Sequence, residues 1–282
     1  MVILTKKEKA LEKKSVKCHT KVSKLLNHPR NDSIILQKTS EKGVAFCIID
    51  KNGKKYLYSG LTKKLKRLLY PDLEENPWNM NPKARQGKHY KIKYKRGCTT
   101  FGAVHGSSVH AEIELFVKEF GKTQNWNNFM KLVPNPDPCT CRIIQKCLDS
   151  NWYPIFSEFK LFNEDWRTAS AIDLLVVDQN KWELILIEIK CGYENEVYTT
   201  HSEDKMFKAP FNDIINCPKN RHTMQVLSMI LMLKKKYGIT ITQSYILRSL
   251  PKAKILEVIP LPKWAKGKEI RRNLDILLSS ET

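Results

Sequence analysis

A chain of 282 residues, 41% hydrophobic and 28% charged with a net charge of +20, is long enough to enclose a sizeable core and holds no apolar run of membrane-spanning length. Its start, MVILTKKEKALEKK, places only a short apolar patch before the lysines, which falls short of a secretory signal, and eight cysteines without regular pairing fit reduced thiols. These features predict an intracellular, non-secreted protein with no membrane partner, in the nucleus or mitochondrion of a eukaryote or in the host cell of a virus.

The charge is uneven. Residues 1–100 carry 25 Lys and Arg against 8 Asp and Glu, a net +17, whereas the remainder carries 24 against 21, a net +3. A basic N-terminal region (1–100) ahead of a nearly neutral core (101–282) reads as a surface for a polyanion, with nucleic acid ahead of a merely solubilising lysine face.

In chain order, residues 1 to about 30 predict a basic helix or partly disordered arm. Val44 to Ile49 and Lys55 to Tyr58, joined through Asp50-Lys51-Asn52-Gly53, predict a hairpin, because Asn-Gly supplies the left-handed turn that twisted strands need. Leu61 to Tyr70 predicts a short basic helix stopped by Pro71 and carrying Lys63, Lys64, Lys66 and Arg67; the segment from Pro71 to Gln86 is loop-like. Tyr90 to Arg96 alternates as an edge strand does. Its Lys91, Lys93, Lys95 and Arg96, interleaved with tyrosines, suit phosphates and bases, although lysines also guard edges.

Phe101 to Gly121 holds the next constellation. Gly106-Ser107-Ser108 predicts a helix start with serine capping, followed by an apolar stripe of Val109, Ile113, Phe116, Val117 and Phe120. His110 and Glu114 flank the stripe on one side and Glu112 on the other. Past Pro134, Pro136 and Pro138, Cys139-Thr140-Cys141 and Cys147 lack a second matched pair, so structural thiols are favoured over zinc or an iron–sulfur cluster. Trp152 to Leu161 predicts a strand carrying Glu158.

The segment Ala171 to Lys190, AIDLLVVDQNKWELILIEIK, is two apolar runs around a polar break, the pattern of a buried hairpin. A turn near Asn180 sets Asp173 opposite Glu188. Alternation then places Glu188 and Lys190 on one face and turns Ile187 and Ile189 into the core. Lys190 could form an ordinary salt bridge with either acid; a divalent cation is the other way to compensate such buried charge. Beyond lie a polar stretch from Gly192 to Asn220 suited to a mobile loop, an apolar helix from Thr223 to Tyr237 interrupted by Gln225, strands at Ile239–Leu247 and Lys254–Pro260, and a helix at Lys268–Leu278.

In order, these elements resemble the PD-(D/E)XK nuclease superfamily, and more closely its RecB-like branch with the lambda-exonuclease and viral alkaline-nuclease relatives. Gly106-Ser107-Ser108-Val109-His110 is similar to the branch's G-x-x-x-H, Ile172-Asp173 to its metal-binding aspartate and Glu188-Ile189-Lys190 to its E-x-K. Gln225 to Met229 follows its Q-x-x-x-Y only in part, with Met229 where tyrosine is usual. The likeness spans roughly residues 101–260. It implies an α/β fold, a restriction-endonuclease-like core with a mixed central sheet flanked by helices, here preceded by a basic N-terminal subdomain. It also implies a metal-dependent deoxyribonuclease, an exonuclease ahead of an endonuclease, acting on DNA in replication, recombination or repair; a non-catalytic nucleic-acid binder is the contrasting reading. Asp173, Glu188 and the Ile189 carbonyl would hold Mg2+ or Mn2+, with His110 as a further ligand that favours Mn2+. Lys190 would polarise the attacking water, Gln225 would orient water or phosphate, and Glu114 and Glu158 would support the ligands or serve a second metal. The last cysteine, Cys217, precedes the Gln225 helix, which argues against an iron–sulfur cluster.

Overall fold

The structure is a computed structural model that describes residues 6–26, 34–39, 43–49, 52–70, 91–94, 97–123, 126–191, 198–199, 206–250 and 254–280. The loop at 71–86, Lys95, Arg96, the side chains of Lys91 and Lys93 and most of the stretch expected as a loop after Cys191 lie outside the described residues.

The sheet is built around β7 (Thr168–Asp178). Along one side β6 (Trp152–Asn163) pairs antiparallel over the full length, from Trp152↔Asp178 to Asn163↔Thr168. The opposite side changes partner. β3 (Lys55–Gly60) pairs with it in parallel through Ser59↔Thr168 and Gly60↔Ala169, and β8 (Glu183–Cys191) takes over antiparallel from Leu174↔Ile187 to Asp178↔Glu183. β9 (Gln243–Leu250) lies parallel to β8, and β10 (Ile255–Pro260) antiparallel to β9. β1 (Ile34–Thr39) and β2 (Gly43–Ile49) extend the sheet outward from β3, while β4 (Lys91–Tyr94) and β5 (Gly97–Thr100) form a separate ribbon.

Helices cover both faces of this mixed, open sheet. Against one face pack α1 (Lys6–Leu26), α2 (Leu61–Leu69), α6 (Pro218–Tyr237) and α7 (Lys268–Ser279), in a core that includes Leu65, Leu175, Leu186, Met229 and Leu274. Against the other pack α3 (Phe101–Thr123), α4 (Trp126–Leu132) and α5 (Pro138–Asp149), where Val109, Ile113, Phe116 and Ile143 meet Val176, Ile185, Ile187 and Ile189. The chain is thus an α/β protein with its sheet between two helical layers.

Local chemistry explains most element ends. In the β7–β8 turn, Asp178 Oδ1 accepts the N–H groups of Asn180 (2.9 Å) and Lys181 (3.2 Å). Gly53 turns the β2–β3 hairpin at φ 77°. Pro218 opens α6, and Gly238 closes it in the left-handed region at φ 65°.

Several expectations shift. β1 extends the N-terminal hairpin by a strand that the sequence reading did not include. The basic N-terminal helix is anchored through buried Cys18 and Leu25. α2 shares a core with β7, β8 and α6, so the expected division at residue 100 does not coincide with a boundary in packing. α3 starts at Phe101, which leaves Ser107 and Ser108 in the helix interior instead of capping it, and α6 starts at Pro218 instead of Thr223. Lys64, expected on the DNA-contacting face of α2, is only 3% exposed and donates from Nζ to the Trp166 carbonyl at 2.6 Å. It therefore cannot reach a phosphate, whereas Lys63, Lys66 and Arg67 on the same helix are exposed.

Lys64→Ala removes a buried charged hydrogen bond and a packed side-chain stem. Urea unfolding should show a loss of about 2–3 kcal/mol, against about 0.5 kcal/mol or less for Lys63→Ala or Lys66→Ala. Equal midpoints for the three variants would show that the buried amine contributes nothing.

Candidate active site

The β7–β8 ladder stops at Leu174↔Ile187. Just beyond, β8 turns its Ile189 N–H to a side chain: Asp173 Oδ2 accepts it at 2.7 Å. Asp173 occupies the interval between the two partners of β7, after β3 has left and before β8 has joined. The register extends to place Glu188 opposite it, as expected from the sequence. Glu188 is fully buried; its Oε1 accepts from Lys190 Nζ, and its Oε2 has no hydrogen-bond partner among the described residues.

On the far side of β7, Ser157↔Leu174 and Phe159↔Ile172 bracket Glu158 and set it beside Asp173. Glu158 holds φ at 51°, a left-handed backbone that costs a non-glycine residue about 1–3 kcal/mol. Its Oε1 lies 2.7 Å from His110 Nδ1, and Asp173 Oδ1 lies 3.8 Å from the same nitrogen. His110, Glu158 and Asp173 each place one donor atom within 4.8 Å of the others. Glu158 thus stands among the donors themselves, closer to His110 than its expected supporting role implied. Glu188 adjoins this set and is acted on by the charges of both Asp173 and His110.

Of these groups His110 and Glu158 line a cleft of about 480 Å³, together with Gly106, Ser107, Glu114 and the strand end from Ile189 to Cys191; Asp173 and Glu188 lie buried behind that lining. Gly106 and Ser107 supply a small-residue wall where the sequence suggested a helix cap. A Cβ added at Gly106 would meet no atom within 4 Å. Glu114 is exposed on the cleft lining and Gln225 is half-buried on α6, outside that lining.

The sequence reading missed three groups near Lys190. The parallel register sets Arg248 beside it on β9. The Arg248 guanidinium packs 4.3 Å from the centre of the Tyr198 ring and binds Glu257 at 2.8 Å, and its buried Nε has no hydrogen-bond partner among the described residues. The Tyr198 hydroxyl hydrogen-bonds His222 Nδ1 at 3.1 Å. Burial holds His222 well below its ordinary pKa, helped by the charges of Lys190 and Arg221, so it is neutral. The E-x-K pattern marks Lys190, but only the β8–β9 pairing brings Arg248 to it.

Proton affinities follow from the crowding of acids. Burial pushes the Glu188 carboxyl up to about 7, the Asp173 charge adds to the rise, and Lys190 opposes it. Burial also raises Asp173, against the charges of Lys190 and His110. Burial by itself would lower His110, but the hydrogen bond it donates to Glu158 and the charges of Asp173 and Glu158 outweigh it and raise the imidazole.

No protein-family model matches the chain, and neither does any curated protein.

In each of these three groups the folded protein holds its proton more tightly than the unfolded chain does. Metal-free stability therefore falls as pH rises, for Glu188 between its ordinary 4.5 and about 7. Thermal unfolding without divalent ions should show a falling midpoint over that window, and Glu188→Gln should flatten the fall. Parallel pH slopes for the two proteins would remove Glu188 as a titrating group.

Proposed function

We propose that this chain is a metal-dependent DNA nuclease with a restriction-endonuclease-like core, most consistent with an exonuclease. The observation that carries this reading is Glu188: fully buried, with one oxygen unpartnered among the described residues, beside Asp173 and within the electrostatic reach of His110. Lys190 answers the charge through one oxygen, but a purely structural ion pair would satisfy the other as well, since a buried acceptor left without a partner costs about 1–3 kcal/mol.

The donors fit a hard divalent cation. Carboxylate oxygens of Asp173, Glu158 and Glu188, the Ile189 carbonyl and the His110 nitrogen suit Mg2+ or Mn2+. When bound, such an ion supplies a hydroxide source near neutral pH and offsets charge on the attacked phosphate. The side chains contribute the rest. Asp173, pinned by the Ile189 N–H, fixes the donor geometry. Lys190 brings a cation to the point where negative charge grows on phosphorus, and Arg248 lies alongside it in register. Water attacks phosphorus and one P–O ester bond breaks. The water gives a proton to solvent as its oxygen bonds to phosphorus and remains on the phosphomonoester, and the departing alkoxide takes a proton from solvent. Gly106 and Ser107 keep the cleft wall low enough for a backbone phosphate to approach.

The grip on DNA falls to the basic N-terminal region. Lys13, Lys14 and Lys17 on α1 and Lys63, Lys66 and Arg67 on α2 are exposed. They suit phosphates without reading sequence. Replacing Lys63, Lys66 and Arg67 together by alanine should lower the slope of log affinity against log salt by up to about 3. An unchanged slope would move the grip elsewhere.

Incubation of a linear duplex and a covalently closed circle with Mg2+, Mn2+ or EDTA tests the activity. Metal-dependent loss of the linear form with survival of the circle is the expected result. Cutting of the circle would make the chain an endonuclease, and no metal-dependent cleavage of DNA or RNA would leave a binding protein. Asp173→Asn and Glu188→Gln should each lower cleavage at least about 10³-fold, and Lys190→Ala about 10²–10³-fold, with DNA affinity nearly unchanged. Cleavage surviving in the Asp173→Asn, Glu188→Gln double variant would sink the site.

A further inference from the structure

We propose that His105, Asp137, Cys139 and Cys191 form a zinc site at the wall of the cleft that Cys191 lines, separate from the hard-donor site of Asp173 and Glu188. His105 Nε2, an Asp137 carboxylate oxygen and Cys139 Sγ lie within 4.8 Å of one another, and Cys191, outside that set of three, neighbours Cys139 closely enough for its thiol to favour the Cys139 thiolate. The four residues come from three elements far apart in sequence. His105 lies on α3, Asp137 and Cys139 are the N-cap and second residue of α5, and Cys191 ends β8. Only the packed fold unites them.

Nitrogen, oxygen and two sulfurs are a donor set that zinc takes up and that Mg2+ does not. Binding would draw Cys191 in beside the three atoms already gathered and shift those three slightly. His105 Nε2 and Asp137 Oδ2, 2.7 Å apart, would separate to about 3.3 Å around a tetrahedral ion with bonds near 2.0–2.1 Å. Asp137 can meet two demands at once. Its Oδ1 accepts the Cys139 N–H at 2.7 Å and fixes the carboxylate, leaving Oδ2 for the metal, while Glu112 accepts the Asp137 N–H at 2.9 Å. Such outer hydrogen bonds hold a ligand in its binding pose.

The charges also close. Zinc with two thiolates and one carboxylate carries a net −1, and Arg142 answers it, with its Nη2 3.2 Å from Cys139 Sγ and 3.1 Å from Ser249 Oγ. The ion would tie α3, which carries His110, to the strand end just past Lys190. It would brace two walls of the cleft without taking part in hydrolysis.

The test uses the full chain purified under reducing conditions. Metal content is read by mass spectrometry, and zinc affinity of the stripped protein by competition with a chromophoric chelator. The expected result is one zinc per chain, at least 100-fold weaker binding in Cys139→Ser and in His105→Ala, and affinity within about twofold of the parent in Asp173→Asn. Cobalt in place of zinc should give a thiolate-to-metal charge-transfer band that Cys139→Ser weakens, a readout independent of activity. Stripped protein that takes up no zinc would overturn the proposal. Zinc lost in Asp173→Asn but retained in Cys139→Ser would also overturn it, by placing the ion in the cleft. Because no arm reads cleavage, the zinc site and the nuclease reading can fail separately.

Discussion

A single buried carboxylate constrains the whole site. Glu188 sits at zero exposure on a strand whose neighbours leave it no freedom: Ile187 and Ile189 are locked into the core under α3, and Leu184 and Leu186 into the core under α6. A slip of one residue would turn every one of these side chains to the wrong face, so packing on both sides of the sheet outweighs the cost of holding the acid where it is. Lys190 answers one of its oxygens and leaves the other open. Among the described residues the fold therefore leaves one buried oxygen unanswered, a local cost that a cation or a proton would relieve.

The remaining donors converge because the sheet parts at this point. β7 exchanges β3 for β8 along one edge, and Asp173 lies in the interval. A ladder that continued would have spent the Ile189 N–H on a backbone carbonyl. Since it stops, the carboxylate takes that N–H and is held in one pose. Across β7, Glu158 keeps a left-handed backbone in mid-strand, and its carboxylate meets His110. Strain there, fixed donor groups and a buried acid are three expressions of one arrangement, in which rigid strands hold a geometry that free side chains would leave.

How much of this the sequence revealed depends on the range of the forces involved. The Ala171–Lys190 hairpin was legible because two apolar runs and a polar turn are local signals, and strand alternation then carried Asp173 opposite Glu188 and paired Glu188 with Lys190. His110 followed from the helical spacing of Val109, Ile113 and Phe116. Other features depend on distant partners. Gly106-Ser107-Ser108 has the composition of a helix cap, yet Gly106 and Ser107 line the cleft wall, and nothing local separates those two uses of small residues. Lys64 looks like its exposed neighbours until Trp166, more than a hundred residues away, supplies a carbonyl. Arg248 reaches Lys190 only through the parallel pairing of β8 with β9. Cys139 looked structural because its partners, His105 and Cys191, flank it at long range in the chain.

The strand period explains how two kinds of metal chemistry would coexist a few residues apart. Along the end of β8, Glu188 and Lys190 turn to one face, and Ile189 and Cys191 to the other. The hard carboxylate and the soft thiol are thus sent in opposite directions by alternation alone. α3 repeats the separation: His110 faces Glu158 and Asp173, while His105, five positions earlier and so well round the helix, meets Asp137. An ion bound by the sulfur side would fix the rotation of α3 and, with it, the direction of the His110 ring. Geometry at the oxygen site would then depend on an ion that touches none of its ligands, so loss of zinc would loosen His110 while leaving Asp173 pinned by its own strand.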